Sequence, residues 1–274
     1  MSTLALPGRG ARLGARRLLA RLGRGTRRRL GFGLMVAALS FGVVLESLRP
    51  ATWRRTVRSA FRRALHQAIA GSVAPTLVTA GLVGMTMVEQ ALYWQRELDQ
   101  AAEIRSLLVS ILAREVCPIL VGLILLGRSG TVAIAEIGAL KRGGQIRALE
   151  GQGLDPFLVL LLPRASALSV AAFTLGMVFV VTALLGGFAL ATLTNVAQIS
   201  IGAFLERVML DLGPPEFIAL SGEMLLIGIL VALTSGLTGL TAEADDDVAS
   251  LLPRGFVRGV LMVLLVNAVL GLVV

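Results

Sequence analysis

The 274-residue sequence contains one cysteine, one histidine and one lysine. Cys117 alone excludes an internal disulfide, and His66 without a cysteine cluster leaves no zinc or haem site. Lys141, in "GALKRGGQ", sits among glycines that lack the G-x-x-x-x-G-K-[ST] spacing, so the chain has no phosphate-binding loop for ATP. Aromatic residues make up 5% of the chain and are not interleaved with its basic runs, which argues against a nucleic-acid surface. Charge is also sparse, at 16% of residues, and unbalanced: 17 acidic residues face 26 basic ones.

What the sequence has in quantity is apolar length. Hydrophobic residues make up 55%, mean hydropathy is +0.82, and several windows reach the roughly 20 apolar residues that cross a bilayer as a helix. The fold class implied is an all-α integral membrane protein, with no room for a sizeable soluble domain.

The basic residues orient it. Nine precede Leu30 and six lie between Arg49 and Arg63, against the single acid Glu46. The run "GRGARLGARRLLARLGRGTRRR" is long for a signal n-region and no small-residue cleavage site follows it, so it is expected to be retained, facing anionic headgroups in the cytoplasm. The first apolar stretch, "LGFGLMVAALSFGVVLESL", has basic clusters on both sides, and crossing would strand one of them outside. An interfacial, amphipathic helix is therefore expected there. Residues 1–63 form this basic arm and interfacial helix, and 64–274 form a five-span domain.

In that reading the first span runs through 66–94, with Gly71, Pro75, Gly81 and Gly84 suited to close packing or a kink. The second runs from Ile104 to about Ala135, interrupted by "REVCP". A third carries its uncharged part from Ala165 to Leu193, a fourth begins near Glu216, and a fifth ends at Val274. Arg96, Arg105 and Arg207 are the only basic residues assigned to outside loops and their edges, so the N-terminus is placed in the cytoplasm and the C-terminus outside.

Between the second and third spans lies "AEIGALKRGGQIRALEGQGLDPF" (135–157), too patterned for a merely solvated loop. A short helix is expected at about 140–152, lying along the membrane. Ile146 and Leu149 share one face and Arg147 and Glu150 another, which would press an apolar ridge into a partner's groove. Asp155 before Pro156 reads as an N-cap and first helical residue.

The segment "RSGTVAIAEIGALKRGGQIRALEGQGLDPFLVLLLPR", with "LLVSILAREVCPILVGLILLGRSG" upstream, resembles the signature region of the MlaE/YrbE permeases, membrane subunits of ABC-type lipid transporters that work with MCE-domain proteins. The match runs through Arg114, Glu115, Pro118, Gly127, Arg128, Gly130, Ala135, Glu136, Gly138, Gln145, Ile146, Leu149, Asp155, Pro156, Pro163 and Arg164. It departs at Gly144, where the family has glutamate, at Leu140 in place of methionine, and in the aspartate-bearing loop 241–258. The resemblance implies a homodimer in a bacterial inner membrane, handling phospholipid, with an MCE-domain partner and a separate ABC ATPase that holds ATP and magnesium. No cofactor is then expected in this chain. It further implies that Gly143, Gly144, Gln145, Ile146, Leu149 and Glu150 form a coupling helix seated on that ATPase.

Charges within spans need partners, because each costs about 2.5 to 3.5 kcal/mol at a helix centre on insertion scales. Arg114 and Glu115 are neighbours on a helix, about 100° apart, and are expected to reach other helices, with Glu89 and Glu223 as candidates for Arg114. Together these four read as a lipid-headgroup cavity or a structural polar network. Pro118, four residues after Arg114, fits a broken helix whose freed carbonyls face a cavity. Arg128 and Glu136 are expected near the cytoplasmic end as headgroup anchors. Asn267 is expected to hydrogen-bond across a helix interface, Cys117 to be packed as a small apolar residue, and Asp245, Asp246 and Asp247 to be solvated rather than metal-binding.

Two other functions compete with lipid export or import. An ion- or proton-coupled carrier would use Glu89, Glu115 or Glu223 as a titrating site, but shows no inverted repeat. An intramembrane lipid enzyme lacks a nucleophile–base pair.

Overall fold

The computed structural model describes residues 31–98, 110–194, 202, 213–242 and 248–273. All regular structure among the described residues is helical. The helices are α1 (Gly31–Leu48), α2 (Arg55–Leu98), α3 (Leu112–Arg142), α4 (Gln145–Gly151), α5 (Phe157–Leu193), α6 (Pro214–Leu240) and α7 (Val248–Val273). All but α4 are long and apolar enough to cross a bilayer. Helix is what such sequences must form in hydrocarbon, where every backbone polar group has to be satisfied within the segment. The basic arm before residue 31, Arg105, Arg207 and the aspartate run 245–247 lie outside the described residues.

Small residues set the packing. The largest interface joins α2 to α5. A Cβ added at Gly84 would lie 1.8 Å from the Ala183 carbonyl oxygen, so only glycine lets the two backbones meet there. Gly228 of α6 stands in the same relation to α5, with the Leu168 oxygen 2.3 Å from where a Cβ would be. Around these crossings Leu175, Phe179, Met224, Ile227 and Leu233 form a fully buried core. Three buried threonine hydroxyls are satisfied within their own helices: Thr76 donates to Ser72 O, Thr234 to Leu230 O and Thr238 to Thr234 O.

Prolines break the helical ladder at defined points. Pro118 and Pro163 have no N–H, and each follows a wide π-type turn, Leu112–Val116 and Phe157–Leu161. Cys117 N–H then bonds to Leu112 O and Leu162 N–H to Phe157 O, five residues back rather than four. A third such turn, Leu126–Gly130, holds Arg128. Pro75, inside α2, cannot donate to the Gly71 carbonyl four residues back. That oxygen accepts instead from Arg128 Nε of α3 at 3.0 Å.

The N-terminal helix differs in one respect from expectation. Its buried side (Phe32, Val36, Leu39, Ser40, Val43) packs on the bundle, but its outer side is apolar too: Leu34, Met35, Phe41, Val44, Leu45 and Leu48 are exposed. Polar groups are confined to Ser40, turned inward onto Val36 O, and to Glu46 and Ser47 at the end. A tight corner follows, in which Glu46 accepts from Arg49 (2.7 Å) and Thr52 (3.0 Å), and Trp53 Nε1 donates to Ser47 O (2.8 Å).

Candidate functional site

Two places in the bundle gather the residues that the sequence singles out. The first lies at the end opposite the Arg55–Arg63 cluster. There Arg114 and Glu115 of α3, Glu223 and its neighbours on α6, and Leu270 and Gly271 of α7 line a cleft of about 290 Å³. Asn267 of α7 ties it together. Its side-chain amide donates to Glu223 Oε1 at 2.9 Å and to the Arg114 carbonyl at 3.2 Å.

The second of those bonds has a local cause. Pro118 lacks the N–H that a regular helix would direct at the Arg114 oxygen, and the Asn267 amide takes that place. Arg114 is half-buried and close enough to Glu223 for their charges to attract, while Glu115 is exposed at the mouth. Of the two expected acidic partners, the structure thus brings Glu223 to Arg114. Glu89, exposed near the far end of α2, does not line the cleft. A half-buried cation, a carboxylate and an amide thus lie beside the apolar side chains Ile218, Leu220 and Leu226, a polar end set against an apolar wall.

The second place is the elbow between α3 and α5. Gly144, at φ +71°, turns the chain from α3 into the seven-residue α4, a backbone conformation that residues with a side chain adopt only with strain. Gly153, at φ +72°, makes the second turn. Asp155 then caps α5, accepting from Phe157 N–H at 2.9 Å, as the Asp155–Pro156 pair implies.

The face of α4 that turns outward is not the one expected. Ile146 is 2% exposed and belongs to the main core, with Leu149 half-buried beside it, so the apolar ridge is spent inside this chain. Gly143, Gln145, Arg147, Ala148 and Glu150 are exposed and form the surface that a partner would meet.

Arg128 and Glu136 are exposed but tied to neighbouring helices rather than standing free for headgroups. Arg128 caps the Gly71 carbonyl of α2, and Glu136 accepts a short hydrogen bond from Arg164 Nη2 of α5. The role of Arg164 was hidden in the sequence. Its signal was the Pro163–Arg164 pair at the start of a span, where a cation 28 residues from Glu136 closes the elbow. Cys117 is fully buried, with its Sγ 3.6 Å from Gly176 O.

Apolar helices surrounding a charged cleft, with a polar elbow at one end, define a multi-pass membrane protein. The chain belongs to the family described as Permease MlaE, whose profile matches residues 61–273. Among similar proteins, the chloroplastic Protein TRIGALACTOSYLDIACYLGLYCEROL 1 of Arabidopsis thaliana is 28% identical over 76% of this chain and 58% of its own length. A probable ABC transporter permease protein of Porphyra purpurea is 26% identical over 63% of this chain and 65% of its own. The intermembrane phospholipid transport system permease protein MlaE of Haemophilus influenzae is 27% identical over 40% of this chain and 42% of its own. The chain thus spans less than two thirds of the length of each of these relatives.

Proposed function

We propose that this chain is the permease subunit of an ABC transporter that moves phospholipid or a related lipid between a bacterial inner membrane and a periplasmic carrier. The observation that carries this reading is the family match over residues 61–273, which includes both the charged cleft and the elbow. A gradient-driven carrier is not favoured, because nothing in the family or the relatives' names points to one.

In this reading the basic residues at Arg49–Arg63 and the elbow face the cytoplasm, the cleft of Arg114, Glu115, Glu223 and Asn267 faces the periplasm, and the C-terminus ends there. The apolar outer face of α1 then rests in the cytoplasmic leaflet. The opposite, bundle-facing side of α1 meets Phe157 at the start of α5 and lies under Arg258 of α7 at Phe32, both in the cytoplasmic halves of their helices, which keeps the basic clusters on one side.

Gln145, Arg147 and Glu150 dock on a separate ATPase, which holds ATP and magnesium. Ile146 passes the motion of that ATPase to α3 and α5. Two copies of the permease enclose the lipid, and an MCE-domain protein receives or delivers it. In the cleft the Arg114 guanidinium attracts the lipid phosphate, and the apolar wall of α6 takes the start of the acyl chains.

The test is affinity purification of the tagged chain from its native membrane in mild detergent, with quantitative mass spectrometry. A stoichiometric ATPase with a phosphate-binding loop is the expected result. A preparation that transports lipid without any ATPase would overturn the proposal.

A further inference from the structure

A second cleft, of about 460 Å³, opens at the other end of the bundle between the start of α2 and the start of α5. Its volume falls within the range of small-ligand sites, roughly 300 to 1,000 Å³. One wall is the α2 face carrying Arg63 and Gln67. The other is Val159, Leu160 and Arg164, with Glu136 of α3 at the back.

The two guanidiniums in it are not equivalent. Arg164 gives Nη2 to Glu136, which neutralises that carboxylate, but Arg164 Nη1 is buried and has no hydrogen-bond partner. A buried guanidinium nitrogen without an acceptor is costly, and because the Arg164 side chain lines the cleft, an anion entering there supplies that acceptor once the guanidinium turns toward it. Arg63, exposed on the opposite wall, has no acidic neighbour lining the cleft other than the neutralised Glu136, so the cleft as a whole is cationic. The positive surface continues along α2 into an adjoining hollow lined by Arg62, Arg63 and His66.

We propose that this cleft binds the phosphate of an anionic phospholipid from the cytoplasmic leaflet. Arg63 and the Arg164 guanidinium hold the phosphate oxygens, and Val159 and Leu160 take the glycerol and the first acyl carbons. The site is separate from the periplasmic cleft and bears on the elbow, because Arg164 and Glu136 are the pair that joins α3 to α5. Occupancy steadies that pair, so this lipid acts as a fixed ligand of the cytoplasmic end rather than as cargo. The apolar wall favours a lipid over the acidic surface of a protein, which has no carbon chain to offer it.

The measurement is native mass spectrometry of the full chain released from detergent, titrated with short-chain phosphatidylglycerol, short-chain phosphatidylcholine or soluble glycerol 3-phosphate. Phosphatidylglycerol is expected to bind tightest, and Arg63→Gln to weaken it by about tenfold, the size of one charge-assisted hydrogen bond. Arg49→Gln, a basic surface residue paired with Glu46 outside the cleft, is expected to change it less than about twofold. Arg63 is exposed, so its replacement spares the core; an unchanged thermal transition checks this.

Equal binding of phosphatidylcholine, or equal loss in Arg49→Gln and Arg63→Gln, would overturn the site in favour of general surface charge. Glycerol 3-phosphate binding as tightly as the lipid would overturn the lipid assignment. Unchanged lipid binding in Arg63→Gln with loss of a co-purifying ATPase would give the cleft to a protein partner instead. None of these readouts depends on transport, so the permease reading stands or falls separately.

Discussion

Arg128 caps a carbonyl that Pro75 has orphaned, and this relation can be measured. In the native chain, Arg128→Ala leaves the Gly71 oxygen of α2 without its 3.0 Å partner. Because that bond lies at an exposed position, its loss costs about 0.5 to 1.5 kcal/mol, the net worth of a typical hydrogen bond. In a Pro75→Ala background the backbone N–H restored at that position reaches the same oxygen from within the helix, and Arg128→Ala should cost less than about 0.5 kcal/mol, the usual effect of an exposed substitution. The double-mutant cycle then gives a coupling of about 1 kcal/mol, within the range of up to about 1.7 kcal/mol measured for hydrogen bonds between transmembrane helices. General effects of the proline change, such as altered helix propensity, cancel in the cycle. The assay is SDS titration of the purified protein in mild detergent, followed by circular dichroism. Equal cost of Arg128→Ala in both backgrounds would refute the argument and make Arg128 a surface charge whose position near Gly71 is incidental.

The same reasoning extends to other positions. Asn267→Leu strips both the Arg114 carbonyl and Glu223 of a donor and should destabilise by about 1 to 3 kcal/mol in the same titration, less so when combined with Pro118→Ala. Gly84→Val should abolish folded yield on size exclusion, since its Cβ would fall 1.8 Å from Ala183 O, whereas Gly81→Ala, whose Cβ meets nothing within 4 Å, should be tolerated; similar yields from both would contradict the packing. Ile146→Asp should lower stability by more than about 2 kcal/mol by placing an unpaired charge in the core, while Arg147→Glu should leave the thermal transition unchanged yet reduce ATPase recovery in the pull-down. A stable Ile146→Asp protein would return the apolar ridge to the partner interface.

The spans were legible because runs of apolar residues between basic clusters leave few ways to thread a membrane. The Asp155–Pro156 cap was legible because its chemistry is local. Arg114 visibly needed a partner, but the choice of Glu223 over Glu89 depends on which helices meet, and hydropathy carries nothing about that. For α4 the periodicity separated Ile146 and Leu149 from Arg147 and Glu150 correctly. It could not say which side faces inward, since a seven-residue helix looks the same from either direction. The π-type turns left one trace, Pro118 and Pro163, and the one at Leu126–Gly130 left none. The cationic cleft at Arg63 and Arg164 was not legible, because its walls lie about a hundred residues apart in sequence.

In the proposed reading, with an ATPase docked on α4, the elbow would act mechanically as a lever. Gly144 and Gly153 give it a swivel at each end, which alone would let α4 tilt and dissipate any push. Ile146, sunk in the core, supplies the fulcrum. Force applied at Arg147 or Glu150 by such a partner would then become torque on α3 and α5. The two glycines set the freedom to rotate, the isoleucine sets the point about which rotation occurs, and lengthening either hinge would waste the stroke before it reached the membrane.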